Sequence, residues 1–308
     1  MDGIINVLKP PGMSSHDVVN FIRKAARLKK AGHTGTLDPG AAGVLVVCVG
    51  RATRLARFLA EDNKEYRAEI RLGAATSTGD SFGDVLEVKD ASAMNVEQLK
   101  TALTFFTGEV RQIPPMASAL KQQGRKLYEL ARAGQVVDRP ARTVHIYSLR
   151  LVWSTGWGTP MPRALLHLSC SKGTYVRTLC EDIGKHIGCA AHMSFLVRTR
   201  AGAFKIINSK TIEEIQLAAQ EGRLPDLLIS MEEALSSMPL VMVNNSAIAA
   251  VSSGAKLYQP GVARMPEGLQ EGVLVRLQGH EGLLAVASTE LDPANKERIF
   301  FRPVCVLR

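Results

Sequence analysis

Ala31-Gly32-His33-Thr34-Gly35-Thr36-Leu37-Asp38-Pro39-Gly40-Ala41-Ala42-Gly43-Val44-Leu45-Val46-Val47-Cys48-Val49 changes character half-way along. Gly32, Gly35, Pro39, Gly40 and Gly43 do not fit together in one regular element, so the first half reads as a loop. Residues 44–49 form a continuous apolar run, the pattern of a buried strand. The polar groups of this loop therefore sit at the edge of a core. Asp38 is one of them. An Asp-Pro in a Gly-rich turn commonly shapes the turn, its carboxylate capping nearby amides. The glycines also admit close approach of a backbone or a ligand, and His33, Thr34 and Thr36 share the loop. From these residues alone Asp38 is either a turn former or a catalytic carboxylate, and no reaction is named.

Outward from the loop, residues 5–15 (INVLKPPGMSS) read as a short strand stopped by Pro10, Pro11 and Gly12. Ser14 or Ser15 then caps a helix with Val18, Ile22 and Ala25 at helical spacing and Arg23, Lys24, Lys29 and Lys30 around them. Downstream, residues 66–72 alternate. Tyr66, Ala68, Ile70 and Leu72 face one way and Arg67, Glu69 and Arg71 the other, which predicts a half-buried strand with Tyr66 on its inner face. Asn95 caps a helix carrying Val96, Leu99, Leu103 and Phe106, and a short helix over 126–133 ends at Gly134. Residues 164–170 read as a strand, and Gly173 opens a helix with Val176, Leu179 and Ile183 on one stripe. Strands and helices mix without a βαβ rhythm, which predicts an α+β fold. A helical stretch near 231–235 leads to Pro239. Beyond it, β-like runs at 240–243, 272–277, 283–287 and 299–301 predict a small β-rich C-terminal unit.

The 308 residues suffice for about two domains. The net charge of +9 favours polyanionic partners, and its distribution is uneven. Residues 239–308 hold 7 basic and 6 acidic side chains, leaving 31 basic and 23 acidic in the first 238, so the N-terminal part carries nearly all the excess. The cysteines, Cys48, Cys170, Cys180, Cys189 and Cys305, form no CxxC pair and no zinc spacing, and read as reduced thiols. The start, MDGIINVLKPPG, lacks the apolar run of a signal peptide, and no segment reaches the length of a membrane span. The expectation is a cytoplasmic protein.

Several segments, in order, resemble the TruB family of bacterial tRNA pseudouridine synthases. Gly32-His33-Thr34-Gly35-Thr36-Leu37-Asp38-Pro39 is similar to the family's catalytic motif. Leu8-Lys9-Pro10 with Ser14-Ser15-His16-Asp17 resembles its N-terminal box. Lys64-Glu65-Tyr66, followed by Gly73, Thr76, Thr78-Gly79-Asp80 and Gly83, resembles its second motif. Gln112-Ile113-Pro114-Pro115, Ser118-Ala119, Lys121, Gly124 and Leu127-Tyr128 resemble another. Residues 173–179 and Leu196-Val197-Arg198-Thr199 complete the set. The resemblance spans roughly residues 1–205 and, more loosely, the tail. It departs at Ala117, where the family usually has Tyr.

The resemblance implies a mixed, mainly antiparallel catalytic domain over 1–236, with a T-loop-binding insertion about 112–140, and a PUA-like RNA-binding domain over 239–308. It implies isomerisation of uridine-55 in the tRNA T-loop, with Asp38 as the catalytic carboxylate. Arg177 pairs with Asp38 and lowers its pKa. Tyr66 stacks on the target base with its hydroxyl near the C5 proton, and Leu196 packs against that base. Tyr175 stands near the pocket, and Lys9 supports the site by packing against Tyr66. His33 enters the T-loop where the base has flipped out. Detached from the motifs, Arg177 reads equally as a surface ion pair, Tyr66 and Leu196 as core, and His33 as a satisfied loop side chain.

The reaction breaks the N1–glycosidic bond, turns the base and rejoins it through C5. Nothing is oxidised or lost, so no cofactor and no metal is expected. The expected partner is the T-arm of tRNA, bound by a monomer with no protein partner and no membrane. Two alternatives stand beside this reading: a guide-RNA-dependent, dyskerin-like synthase, and a non-catalytic tRNA chaperone on the same scaffold.

Overall fold

A computed structural model describes residues 1–118, 120–122, 124–135, 137–292 and 295–307. The chain begins β1 (Gly3–Lys9), α1 (Ser15–Ala25), β2 (Ala31–His33) and β3 (Ala42–Val49). A 3-10 turn (Gly50–Leu55) leads into α2 (Ala56–Leu59), β4 (Lys64–Leu72), β5 (Ala74–Thr76) and β6 (Val85–Val88). Then come α3 (Val96–Phe105), β7 (Gly108–Gln112), β8 (Lys121–Gln122), β9 (Arg125–Lys126) and α4 (Leu127–Arg132). The N-terminal unit closes with β10 (Arg142–Thr155), β11 (Arg163–Cys170), α5 (Val176–His186), β12 (Ala191–Ala201), β13 (Phe204–Lys205), α6 (Ile212–Gln220) and α7 (Met231–Ala234). The C-terminal unit holds β14 (Leu240–Val243), α8 (Asn245–Ser252), β15 (Val262–Arg264), β16 (Leu274–Gly279), β17 (Gly282–Asp292) and β18 (Asn295–Val306).

One large sheet runs β1-β3-β12-β4-β11-β10-β7, with β2 on β3 and β13 on β12. Its pairs are antiparallel except β12 with β3. A second sheet, β15-β14-β16-β17-β18, is antiparallel except for β14 with β16. The α+β expectation and the β-rich C-terminal unit are thus both present.

Local chemistry explains the element ends. Ser14 caps α1 in a reciprocal box with Asp17, Asn95 caps α3 with Gln98, and Thr211 caps α6 with Glu214. Strand β4 alternates as read, with Tyr66, Ala68, Ile70 and Leu72 buried. The inward phase also takes Lys64, a buried cation. Two long strands, β10 and β12, escaped the periodicity. β-Bulges after Ile146 and Leu151 in β10, and after Met193 and Arg198 in β12, shift the phase and break the alternation. Within the C-terminal unit, α8 was also not anticipated; its run of small residues, Ser246, Ala247, Ala249 and Ala250, lacks a wide apolar stripe.

Gln112 at the end of β7 pairs with Arg142 at the start of β10, so the chain departs and returns at one point of the sheet edge. Of the motif read between 112 and 128, Ala119 and the side chains of Lys121 and Tyr128 lie outside the described residues. The two sheets share a core. Ile4 and Val46 from the first, with Leu55 of the 3-10 turn, cluster with Leu283 and Val286 from the second and with Leu307 just after β18.

Candidate active site

The loop between β2 and β3 lies where β3 changes partner. β2 pairs with the far half of β3 (Ala31 with Val49, His33 with Val47). β12 pairs with its beginning (Val197 with Ala42, Arg198 with Gly43). At this crossing Gly43 holds φ +110°, and a Cβ there would stand 2.2 Å from the Arg198 carbonyl oxygen, so the backbones meet only because residue 43 is glycine.

Three buried polar side chains from three elements pin this loop. Ser15 Oγ, on α1, donates to Leu37 O (2.9 Å) and accepts from Leu37 N (2.8 Å). Lys9 Nζ, at the end of β1, donates to Ala41 O (2.6 Å), Pro39 O (3.2 Å) and Pro10 O (2.9 Å). Arg198, on β12, donates to Val44 O (2.7 Å), Gly35 O (3.0 Å) and Thr36 O (3.4 Å). A loop rich in glycine would otherwise be loose. These bonds fix it before any ligand arrives, which is what positions a reacting group.

Asp38 projects from the pinned loop onto Arg177 in the first turn of α5. Arg177 Nε stands 3.1 Å from Asp38 Oδ2, and Nη2 donates to Oδ1 at 3.3 Å, a two-point fork. The rest of the guanidinium is also engaged. Nη1 donates to Thr78 O (3.0 Å) and lies 3.8 Å from Asp80 Oδ2, while Nη2 donates to Ala117 O (2.8 Å). At the position where the family usually carries Tyr, the backbone carbonyl therefore makes the contact. With its donors taken, the guanidinium cannot swing away.

The Asp38 side chain is 35% exposed and opens on a cavity of about 330 Å³. Tyr66, Leu196, Tyr175 and Arg177 line the same cavity, so the structure brings these four expected residues together around the carboxylate. Tyr66 on β4 lies opposite Arg198 on β12, and Ala68 lies opposite Leu196, which puts all four on one face of the sheet. The backbone of Tyr175 is clamped by the buried Gln112. Its N–H donates to Oε1 (3.0 Å) and its carbonyl accepts from Nε2 (3.2 Å).

Lys9 and His33 stand outside the lining. Lys9 is directed to the carbonyls of the Asp38 loop rather than to Tyr66, since β3 and β12 lie between β1 and β4. His33 ends β2 instead of lying in the loop, half-buried, with a buried Nδ1 that has no hydrogen-bond partner among the described residues.

Arg177 lowers the Asp38 pKa, as expected of the pair, but burial outweighs it: the carboxyl stands above its ordinary value, with Asp80 adding to the rise and Lys9 joining Arg177 against it. Burial pushes Lys9 down to about 8, against the pull of Asp38. Burial raises the Tyr66 phenol, with Arg198 opposing, and lowers His33, with Arg198 and His16 acting in the same sense.

Ser15, read only as a candidate helix cap, and Lys64, Asp80, Gln112 and Arg198 had no role in the site from the sequence, although the quoted motifs contain them. Lys64 carried a readable signal, a charge in the inward phase of an alternating strand.

A family model described as TruB family pseudouridylate synthase (N terminal domain) matches residues 23–176, and one described as tRNA pseudouridylate synthase B C-terminal domain matches 177–236. The chain belongs to the TruB family of pseudouridylate synthases. A relative named tRNA pseudouridine synthase B, from Pelotomaculum thermopropionicum, is 62% identical over 307 residues, 100% of this chain and 97% of the relative. Another of that name, from Moorella thermoacetica, is 45% identical over 308 residues, 99% of each. Among solved structures, a chain from a Cbf5-Nop10-Gar1 complex matches with TM-score 0.77 at 30% identity, over 99% of this chain and 85% of that one. A chain from the archaeal box H/ACA sRNP Nop10-Cbf5 complex matches with TM-score 0.76 at 28% identity, over 99% and 86%. The TruB-family assignment gives the chain a reaction class: isomerisation of uridine to pseudouridine.

Proposed function

We propose that the chain converts uridine-55 in the T-arm of tRNA to pseudouridine, with Asp38 attacking the flipped nucleotide. The observation that carries this reading is the Asp38–Arg177 fork at the wall of a cavity lined by Tyr66 and Leu196. A pyrimidine entering the cavity is sandwiched by an aromatic and an aliphatic side chain, with its sugar edge toward the carboxylate. A bond to Asp38 forms, the N1–ribose bond breaks, the base turns, the C5–ribose bond forms, the bond to Asp38 is broken to return the carboxylate, and the C5 proton leaves as N1 gains one. Atoms balance within the nucleoside. The Tyr66 phenol, raised by burial, is neutral at working pH, so it takes the C5 proton only as it gives up its own hydroxyl proton to N1 of the turned base or to water.

The segment between Gln112 and Arg142 is read as the insertion that grips the T-loop, with His33 filling the space left by the flipped base. Residues 1–236 then form the catalytic domain, and the sheet from β14 to β18 is a PUA-like RNA-binding domain over 239–308. The second family match stops at residue 236, which supports this boundary. The protein acts as a monomer, in the cytoplasm where its substrate is. Relatives named as tRNA enzymes at up to 62% identity favour this reading over a guide-RNA-dependent one.

Unmodified tRNA transcript tritiated at uridine C5 tests the proposal. Tritium release is expected from the protein alone, mapped to uridine-55, and abolished in Asp38→Asn with tRNA binding retained. Release from the Asp38→Asn variant, or release that requires an added guide RNA, overturns it.

A further inference from the structure

The turn after β5 carries Phe82, whose side chain is 79% exposed. An aromatic ring left this open in water gives up most of its burial free energy. The ring is nevertheless not adrift. It lies over Gly40, two residues beyond Asp38: a Cβ at Gly40 would fall 2.0–2.9 Å from Phe82 Cε2, Cζ and Cδ2. Its backbone is held as well. The Phe82 N–H donates to Asp80 Oδ1 (3.0 Å), which also accepts from Thr78 Oγ1 (2.6 Å). Immediately beyond, Gly83 closes the turn so tightly that a Cβ would stand 2.4 Å from Thr78 Oγ1. The other oxygen of Asp80 faces Arg177, the side chain that forks Asp38. One carboxylate thus ties the Phe82 turn to the catalytic pair.

We infer that Phe82 is a stacking platform for a nucleobase of the RNA substrate flanking the flipped uridine. This rests on the reading of the Asp38 cavity as the uridine site. A cavity of about 330 Å³ accepts one nucleoside, so the neighbours of the flipped residue stay outside, on the rim. Pro39, which is exposed, and Gly40 follow Asp38 directly in the chain and stand outside the lining of the cavity. There the ring has one edge against glycine and the rest in solvent, the geometry in which aromatic side chains take unstacked bases. Stacking is tolerant of base identity, so Phe82 adds affinity and holds the flipped state open, and leaves the choice of uridine to the cavity.

Phe82→Trp, Phe82→Tyr and Phe82→Ala test the inference with unmodified tRNA transcript, the Trp variant also carrying Asp38→Asn so that bound substrate is not turned over. The expected results are weakening of tRNA binding by about tenfold in Phe82→Ala, near-retention in Phe82→Tyr, and quenching of the introduced tryptophan beyond any change in the Asp38→Asn protein. The melting temperature of Phe82→Ala should match that of the parent, because little of the ring is covered. Unchanged tRNA affinity in Phe82→Ala, or an introduced tryptophan unmoved at saturating tRNA, overturns the inference. Failure of the cavity reading shows separately, as tritium release that survives Asp38→Asn.

Discussion

At Asp38, burial and Arg177 act in opposite senses on one proton, and burial prevails. In the proposed mechanism the ionised carboxylate attacks, so activity should be present above its folded pKa and be lost as pH falls through it. That acid limb therefore lies above the range of an ordinary aspartate. Arg177→Met removes an influence that lowers the pKa, so the limb should move to higher pH while the plateau falls by about 10²–10³-fold. A pH profile of single-turnover tritium release reads both, and an unmoved limb contradicts the arrangement. Stability has the opposite sign. A raised folded pKa means the folded state loses stability as pH rises from the unfolded value through the folded one. Asp38→Asn removes that loss, so at neutral pH it should melt no lower than the parent. Arg177→Met strands Asp38 beside Asp80 and should melt lower, by thermal scanning of the two variants side by side.

At the scale of elements, the start of α5 sets where Arg177 points, and Gln112 sets the start of α5. The Tyr175 carbonyl has a second partner in the Leu179 N–H, but the Tyr175 N–H depends on Gln112. Gln112→Leu leaves that donor unpaired, at a cost of about 1–3 kcal/mol. It should slow single turnover more than it weakens tRNA binding. Gln112→Glu separates positioning from bulk. An ionised Glu accepts from the N–H but repels the carbonyl, whereas a protonated one restores both bonds. Its rate relative to the parent should fall as pH rises, and a constant ratio would remove Gln112 from the mechanism. The sequence shows which of these elements are legible and why. Strand β4 was readable because period-2 burial is unbroken from Lys64 to Leu72. Strand β12, which supplies Leu196 and Arg198, was not, because two bulges shift its phase. The Asp38 loop was legible as a loop, and the motifs supplied the roles of Tyr66, Leu196 and Arg177. What stayed hidden was its fastening, since bonds from Ser15, Lys9 and Arg198 to backbone carbonyls leave no periodic mark. The sign of the Asp38 shift was hidden for a related reason: burial depth belongs to the assembled cleft, while the Asp–Arg pairing belongs to the motifs.

For the whole molecule, the C-terminal unit is fused to the catalytic body rather than tethered to it. Strand β18 is an edge strand, and its carbonyls would otherwise face solvent or another chain. Arg51 and Arg54 donate to Leu307 O (3.3 Å) and Val306 O (2.8 Å), and Arg57 donates to Val304 O. The arginines follow at every third position from the 3-10 turn into α2, so one face of that segment covers one edge of the sheet. Beneath them, Leu283, Val286 and Leu307 complete the apolar cluster that holds Ile4, Val46 and Leu55. Removing residues 239–308 would uncover those side chains at about 25 cal/mol per Å² of apolar surface. The full chain should therefore unfold in a single transition, and the truncated chain should melt well below it by calorimetry. Two separate transitions in the full chain, with the upper one matching the truncated protein, would show that the two units are independent. The same packing bears on how RNA binding is tested. A truncation that weakens tRNA binding also loosens β1 and β3, the strands that carry Lys9 and the Asp38 loop. Charge reversal at exposed positions of the C-terminal sheet, such as Arg264→Glu on β15, leaves the shared core intact. Lower tRNA affinity in that variant, at an unchanged melting temperature, would assign an RNA contact to the C-terminal unit itself; unchanged affinity would leave it a buttress for the catalytic body.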